Sequence, residues 1–127
     1  MERQRLTDSL EDYLEAVYII KKETGEARIT DIALRLKCSK PSVNKAVSLL
    51  KEKELLSQEK YGQISLTKSG EKAAKDIYFR HKTLIDFLCN TLKVDYEIAK
   101  IDACKMEHVI SRQTLEKLLK YMKNNTK

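Results

Sequence analysis

Between Ile29 and Leu66 the sequence sets out two short amphipathic stretches, a tight turn between them, and then two short alternating stretches around a glycine. Few folds accept that order. Ile29-Thr30-Asp31-Ile32-Ala33-Leu34-Arg35-Leu36 puts Ile29, Ile32, Ala33 and Leu36 on one helical face. Lys37-Cys38 makes the turn. A second helix begins at Ser39 or Lys40, with Pro41 in its first turn, where a missing N–H does no harm. Val43, Ala46, Val47 and Leu50 repeat the core spacing, which leaves Ser39, Lys40, Ser42, Asn44, Lys45 and Ser48 facing outward as short polar or basic groups. This is the helix-turn-helix pattern, with the second helix suited to the major groove. Ser, Asn and Lys there can reach base edges or phosphates. Leu56-Ser57-Gln58-Glu59 and Gln63-Ile64-Ser65-Leu66 read as strands around Lys60-Tyr61-Gly62, a hairpin with glycine in its turn. A hairpin directly after a recognition helix is a wing, and Lys60 and Tyr61 at its tip suit phosphate contact.

The rest of the chain is compatible with that frame. One Pro and three Gly in 127 residues leave little irregular loop. The expected fold class is therefore mainly α: a winged helix-turn-helix domain over residues 1–70, then an all-helical domain over residues 71–127. The first helix should open near Asp8 or Ser9, where Asp8-x-x-Glu11 has capping-box spacing, and stop at Thr24-Gly25. Its core stripe is Leu10, Leu14, Val17 and Tyr18. A long helix capped near Thr67 to Ser69 should reach about Asn90, with Ala74, Ile77, Tyr78, His81, Leu84, Ile85 and Leu88 on one stripe. Another should run from Tyr96 to about Val109, and Ser111 should cap the last. These final helices cannot bury their apolar faces within so short a chain, so a homodimer is expected.

Charge and cysteine usage bound the setting. Lys and Arg number 25 against 19 Asp and Glu, a formal net charge of +6 that permits nucleic acid as a partner without requiring it. Three widely spaced cysteines, Cys38, Cys89 and Cys104, make no disulfide framework. Nothing resembles a signal peptide, and the longest apolar runs are far too short to span a bilayer. The expected setting is the cytoplasm, with no membrane partner.

Three groups of residues have the chemistry of metal ligands. Cys104, Glu107 and His108 fall at i, i+3 and i+4, which puts thiol, carboxylate and imidazole on one helical face. A packed cysteine beside a surface Glu and His would read the same way. Asp12 and Glu15 are neighbours off the core stripe of the first helix. Taken locally they are equally well solvated acids near a helix N-terminus. His81 stands in the middle of an apolar stripe, where a satisfied core histidine is the ordinary explanation.

Leu10-Glu11-Asp12-Tyr13-Leu14-Glu15, Tyr78-Phe79-Arg80-His81 and the run from Asp102 to Ser111 occur in this order over nearly the whole chain. In these motifs the sequence resembles the diphtheria toxin repressor and manganese transport regulator family of metal-dependent bacterial transcription factors. The resemblance implies one activating metal site built from Asp12, Glu15, His81, Cys104, Glu107 and His108. It also implies a dimer that reads an inverted-repeat operator through Ser39, Lys40, Pro41, Ser42, Asn44 and Lys45, with Lys60 on phosphate. Some members hold an ancillary metal using an acid four residues after the linker-helix histidine and a histidine four residues before the cysteine position. Those places are Ile85 and Lys100 here, so the second site is expected to be missing. The chain stops at Lys127, which implies the shorter, manganese-regulator type without a C-terminal SH3-like domain. Asp12 matches that subgroup, whereas Cys104 stands where it carries a glutamate, so the ligand set is a hybrid.

Cys104 bears on the metal. Manganese prefers oxygen with some imidazole, whereas Fe²⁺, Co²⁺ and Zn²⁺ bind thiolate well. The expected activator is Fe²⁺ ahead of Mn²⁺, with Co²⁺ or Zn²⁺ as substitutes in vitro. Two other classes stand beside this one. A metalloenzyme would need a substrate cleft and a spare base, which no further cluster offers, so no catalytic residue is assigned. A metal-independent winged-helix DNA-binding regulator predicts that chelation leaves DNA binding unchanged.

Overall fold

The computed structural model describes residues 6–125. The chain forms two compact units, Met1–Asp76 and Ile77–Lys127.

In the first unit, α1 spans Asp8–Thr24, α2 Ile29–Leu36 and α3 Lys40–Glu52. Strands β1 (Leu56–Gln58) and β2 (Ile64–Leu66) follow, and then the beginning of α4 (Lys68–Asp86). Thr7 caps α1: its backbone is extended and its Oγ1 accepts from the Leu10 amide at 3.2 Å. The cap thus falls one residue before the expected Asp8, which is itself the first helical residue. Gly25, with φ 88°, closes the helix by donating its N–H to the Lys21 carbonyl at 2.9 Å. On α2 the Asp31 carboxylate accepts from the Arg28 amide at 3.1 Å. Leu14 and Val17 of α1, Ile32 of α2, Val43 and Leu50 of α3 and Ile64 of β2 are fully buried. Each such side chain contributes about 1.5–3 kcal/mol relative to exposure.

The hairpin is antiparallel, with Leu56 opposite Leu66, Ser57 opposite Ser65 and Gln58 opposite Ile64. Its strands stop one residue short of the expected Glu59 and Gln63. Those two still exchange a bond, Glu59 N–H to Gln63 carbonyl at 2.7 Å, but the chain between them coils into a 3₁₀ turn over Lys60–Gly62. A further backbone bond, Ile64 N–H to Ala27 carbonyl at 2.7 Å, ties β2 to the segment just before α2.

Thr67 both ends the wing and starts α4. Its Oγ1 donates to the Glu54 carbonyl at 2.7 Å and accepts from the Gly70 amide at 2.9 Å. Gly70 is required by close approach: a Cβ there would lie 1.8 Å from the Leu55 carbonyl oxygen.

The second unit holds the C-terminal part of α4, α5 (Tyr96–Met106) and α6 (Arg112–Asn125). Its core is Leu84, Leu88, Ala99 and Ala103, with Ile85, Phe87, Val94, Met106, Ile110 and Leu118 packed around them. Two small residues one turn apart, Ala99 and Ala103, give α5 its fully buried edge. Two helix ends differ from expectation. The α-helical bonding of α4 ends at Asp86, and residues Phe87–Thr91 continue as a π-helical turn with Leu92 N–H on the Phe87 carbonyl at 3.2 Å. Helix α5 ends at Met106 rather than near Val109. There the amides of Val109 and Ile110 both turn back to the Met106 carbonyl, at 3.1 and 2.9 Å, because the chain must reverse before Ser111 caps α6. The Ser111 Oγ accepts from the Thr114 amide at 3.1 Å. Leu92, Tyr96, Ile98, Ile101, Val109 and Tyr121 are large apolar or aromatic side chains left exposed. Among the described residues no helix is long and apolar enough to cross a membrane.

Candidate metal centre and DNA-reading surface

Helix α1 offers two carboxylates, Asp12 half-buried and Glu15 buried. They stand one turn apart because the stripe of Leu10, Leu14 and Val17 fixes which way the helix faces. Next to them the Tyr13 hydroxyl donates to the Cys38 Sγ at 3.5 Å, joining α1 to the turn before α3. That bond, together with burial and the neighbouring Cys38 and Asp12 charges, holds the Tyr13 phenol above its ordinary range.

In the second unit the structure brings His81 and Glu107 together. His81 Nδ1 and Glu107 Oε1 are 2.6 Å apart, with the Glu107 side chain fully buried and that of His81 about one-quarter exposed. A carboxylate withdrawn from water is stable only beside a proton donor or a cation, and the imidazole supplies such a neighbour. Cys104 sits half-buried on the last turn of α5. Glu107 occupies the C-cap position, its backbone still helical at φ −62° and ψ −22°, and His108 lies in the turn beyond. The expected face of Cys104, Glu107 and His108 thus runs across the end of the helix, and the Cys104 and His108 donor atoms lie within 4.8 Å of each other. The helix carries the thiol, and the turn that ends it carries the other two. Ile85 packs on the core, and Lys100 pairs with Glu97 at 3.4 Å while lying over the Tyr96 ring.

A thiol, imidazoles and carboxylates form a donor set of mixed softness that suits divalent transition metals. The Glu107–His81 pair in particular puts a hard oxygen beside a borderline nitrogen at a buried position.

The DNA-reading candidates all lie on the surface of the first unit. Ser39 is the N-cap of α3; its Oγ accepts from the Ser42 amide at 3.2 Å and donates to the Ser42 Oγ at 2.9 Å. Lys40 and Pro41 fill the first turn, and Asn44 and Lys45 follow on the exposed face opposite Val43, Ala46 and Val47. Lys60 is exposed in the wing turn beside Tyr61, which is 88% exposed. The sequence reading missed Arg28. Its guanidinium donates through Nη1 to the Tyr61 carbonyl and through Nη2 to Glu26 Oε1 at 3.2 Å. No periodicity marks a residue that precedes a helix and reaches a turn far along the chain.

Comparison with known proteins bears on both surfaces. Residues 5–64 match the family model described as the iron dependent repressor N-terminal DNA binding domain. Residues 67–127 match that of the iron dependent repressor metal binding and dimerisation domain. The HTH-type transcriptional regulator MntR of Bacillus subtilis is 38% identical over 112 residues, 88% of this chain and 78% of that one. An HTH-type transcriptional regulator of Methanocaldococcus jannaschii is 35% identical over 118 residues, 92% of this chain and 94% of that one. Among solved structures, the manganese regulator SloR superposes with a TM-score of 0.80 at 27% identity, over 94% of this chain and 55% of that one. The chain thus spans about half the length of that structure.

Proposed function

Because this chain belongs to the diphtheria toxin repressor and manganese transport regulator family of metal-dependent DNA-binding transcriptional regulators, we propose that Asp12, Glu15, His81, Cys104, Glu107 and His108 together hold one divalent metal. In this reading, metal binding prepares Ser39, Lys40, Pro41, Ser42, Asn44, Lys45 and Lys60 to read an operator. The observation that carries the reading is the fully buried Glu107 carboxylate against the His81 imidazole, three residues after Cys104.

Three carboxylates and a thiolate repel one another or take up protons when gathered in one place. A divalent cation supplies the positive charge that removes much of that cost. Asp12 and Glu15 belong to the helix on which α2 and α3 pack, whereas the other four ligands belong to the second unit. Holding one ion in common therefore restricts the DNA-reading surface relative to the dimer. Two recognition helices kept roughly 34 Å apart enter successive major grooves, and freely tethered ones lose orientational entropy on docking. The exposed Ile98, Ile101 and Tyr96 supply apolar surface for a second copy, and the operator is an inverted repeat. The protein acts in the cytoplasm as a regulator, most simply a repressor, and performs no catalysis.

The thiol of Cys104 favours Fe²⁺ as activator ahead of Mn²⁺, with Co²⁺ or Zn²⁺ replacing it in vitro. The similar structure of the manganese regulator SloR points the other way, toward manganese. The deciding experiment titrates the chelated protein anaerobically with Mn²⁺, Fe²⁺, Co²⁺ and Zn²⁺ and reads binding to its own upstream DNA. Operator binding that requires metal and is strongest with Fe²⁺ is the expected result. Equal binding with and without chelator would identify a metal-independent winged-helix regulator instead.

A further inference from the structure

Tyr61 is an odd residue to find at the end of a wing. Its backbone sits at φ 66° and ψ 22°, in the left-handed region that a bulky side chain enters at a cost, yet its ring is 88% exposed and gains no packing in return. Gly62 follows at φ 79°, so two successive residues hold positive φ. Strain kept at an exposed position needs something that over-determines it, and the structure supplies one group that does. The Arg28 guanidinium reaches the Tyr61 carbonyl through Nη1, while its Nη2 is held by Glu26 at 3.2 Å. Its Nη1 also lies 4.0 Å from where a Cβ on Gly62 would stand. The residue before it, Ala27, accepts the Ile64 amide at 2.7 Å, and Arg28 itself precedes α2. One dipeptide thus joins the segment leading into the first helix of the helix-turn-helix to the start of β2 at Ile64 and to the wing turn at Tyr61.

We infer that Arg28 is a positioning residue for DNA binding: it presets the wing tip so that Tyr61 and Lys60 meet the DNA backbone beside the bases read by α3. This rests on the DNA-binding reading above. A planar fork that grips a carbonyl on one side and a carboxylate on the other cannot be replaced by an ammonium, which is a single point charge. Lysine at position 28 should therefore fail as alanine does, whereas a direct phosphate contact would be rescued by lysine.

The test compares metal-loaded wild type with Arg28→Ala, Arg28→Lys, Tyr61→Ala, the Arg28→Ala/Tyr61→Ala double variant and Lys45→Ala on operator DNA. Affinity and hydroxyl-radical footprints are the readouts. Arg28→Ala and Arg28→Lys should each weaken binding roughly tenfold. They should erase protection under the wing while the major-groove protection from α3 persists. The double variant should bind no worse than the weaker single one, because both remove the same contact. Multiplying effects in the double variant, rescue by lysine, or wing protection retained in Arg28→Ala would each overturn the inference. Should wild type itself ignore the operator, the DNA-binding reading fails. If wild type binds and Lys45→Ala weakens it while the Arg28 variants behave as wild type, only the wing inference fails. Thermal melts of each variant separate these effects from simple unfolding, which would remove every footprint together.

Discussion

The side chain of Cys104 has more influence on chemistry than on packing. It is half-buried on the last turn of α5, three residues before Glu107, whose carboxylate pairs with His81. Replacing Cys104 by Glu exchanges a soft donor for a hard one and should move the order of activating metals toward Mn²⁺. In the Co²⁺ protein it should also abolish the sulfur-to-metal charge-transfer absorption near the ultraviolet. If the unaltered Co²⁺ protein lacks that band, the thiol is not a ligand. On the other surface, Lys45→Ala should cost roughly 1–3 kcal/mol of operator affinity and relax selectivity at one base pair, as a base-edge contact does. A uniform loss across sequences in the same binding assay would reassign Lys45 to phosphate. Gly70 concerns stability alone. Alanine there would drive a Cβ into the Leu55 backbone oxygen, which has no side chain to swing aside. Gly70→Ala should lower the stability of the first unit by on the order of 3 kcal/mol or more, measured by urea denaturation.

At the level of helices and strands, the readable parts were those whose identity repeats. Ile29, Ile32, Ala33 and Leu36 named α2 with both its ends, and Val43, Ala46, Val47 and Leu50 named α3 and its start, because every third or fourth residue votes for the same face. Ser111 was legible as a cap for the same reason: it stands directly before a periodic stretch. Helix ends set by tertiary demand were not legible. Glu107-His108 continues the polar pattern of α5, yet the reversal before Ser111 ends the helix at Met106. Nothing in Phe87-Leu88-Cys89-Asn90-Thr91 announces a π turn. Ala27 meets β2 as a single residue, which leaves no pattern to find. For the candidate site, periodicity placed Asp12 beside Glu15, but only likeness to a family drew His81 toward Glu107. Ligands that meet across a fold share no spacing. Thr67 links two elements, donating to Glu54 and accepting from Gly70. Thr67→Val keeps the shape and loses both bonds, so it should cost about 1–2 kcal/mol, read as a drop in melting temperature.

For the whole molecule, the hybrid ligand set and the occupants of positions 85 and 100 lead to a stoichiometry. Dialysed protein should carry close to one tightly held ion per subunit, and two by metal analysis would show an unrecognised second site. Ligands that must be deprotonated compete with protons, so lowering the pH should release metal and operator together. Binding linkage runs in both directions: excess operator should tighten the metal by the same factor that saturating metal tightens the operator. Finally, the bond from the Ile64 amide to the Ala27 carbonyl has a kinetic meaning. Ile64 is fully buried, and its hydrogen can reach water only when β2 parts from the segment leading into α2. Local fraying of a helix end or of the turn at Tyr61 does not achieve that. Deuterium uptake at this amide should therefore run at the rate of global opening, making one hydrogen atom a clock for the survival of the entire DNA-binding unit.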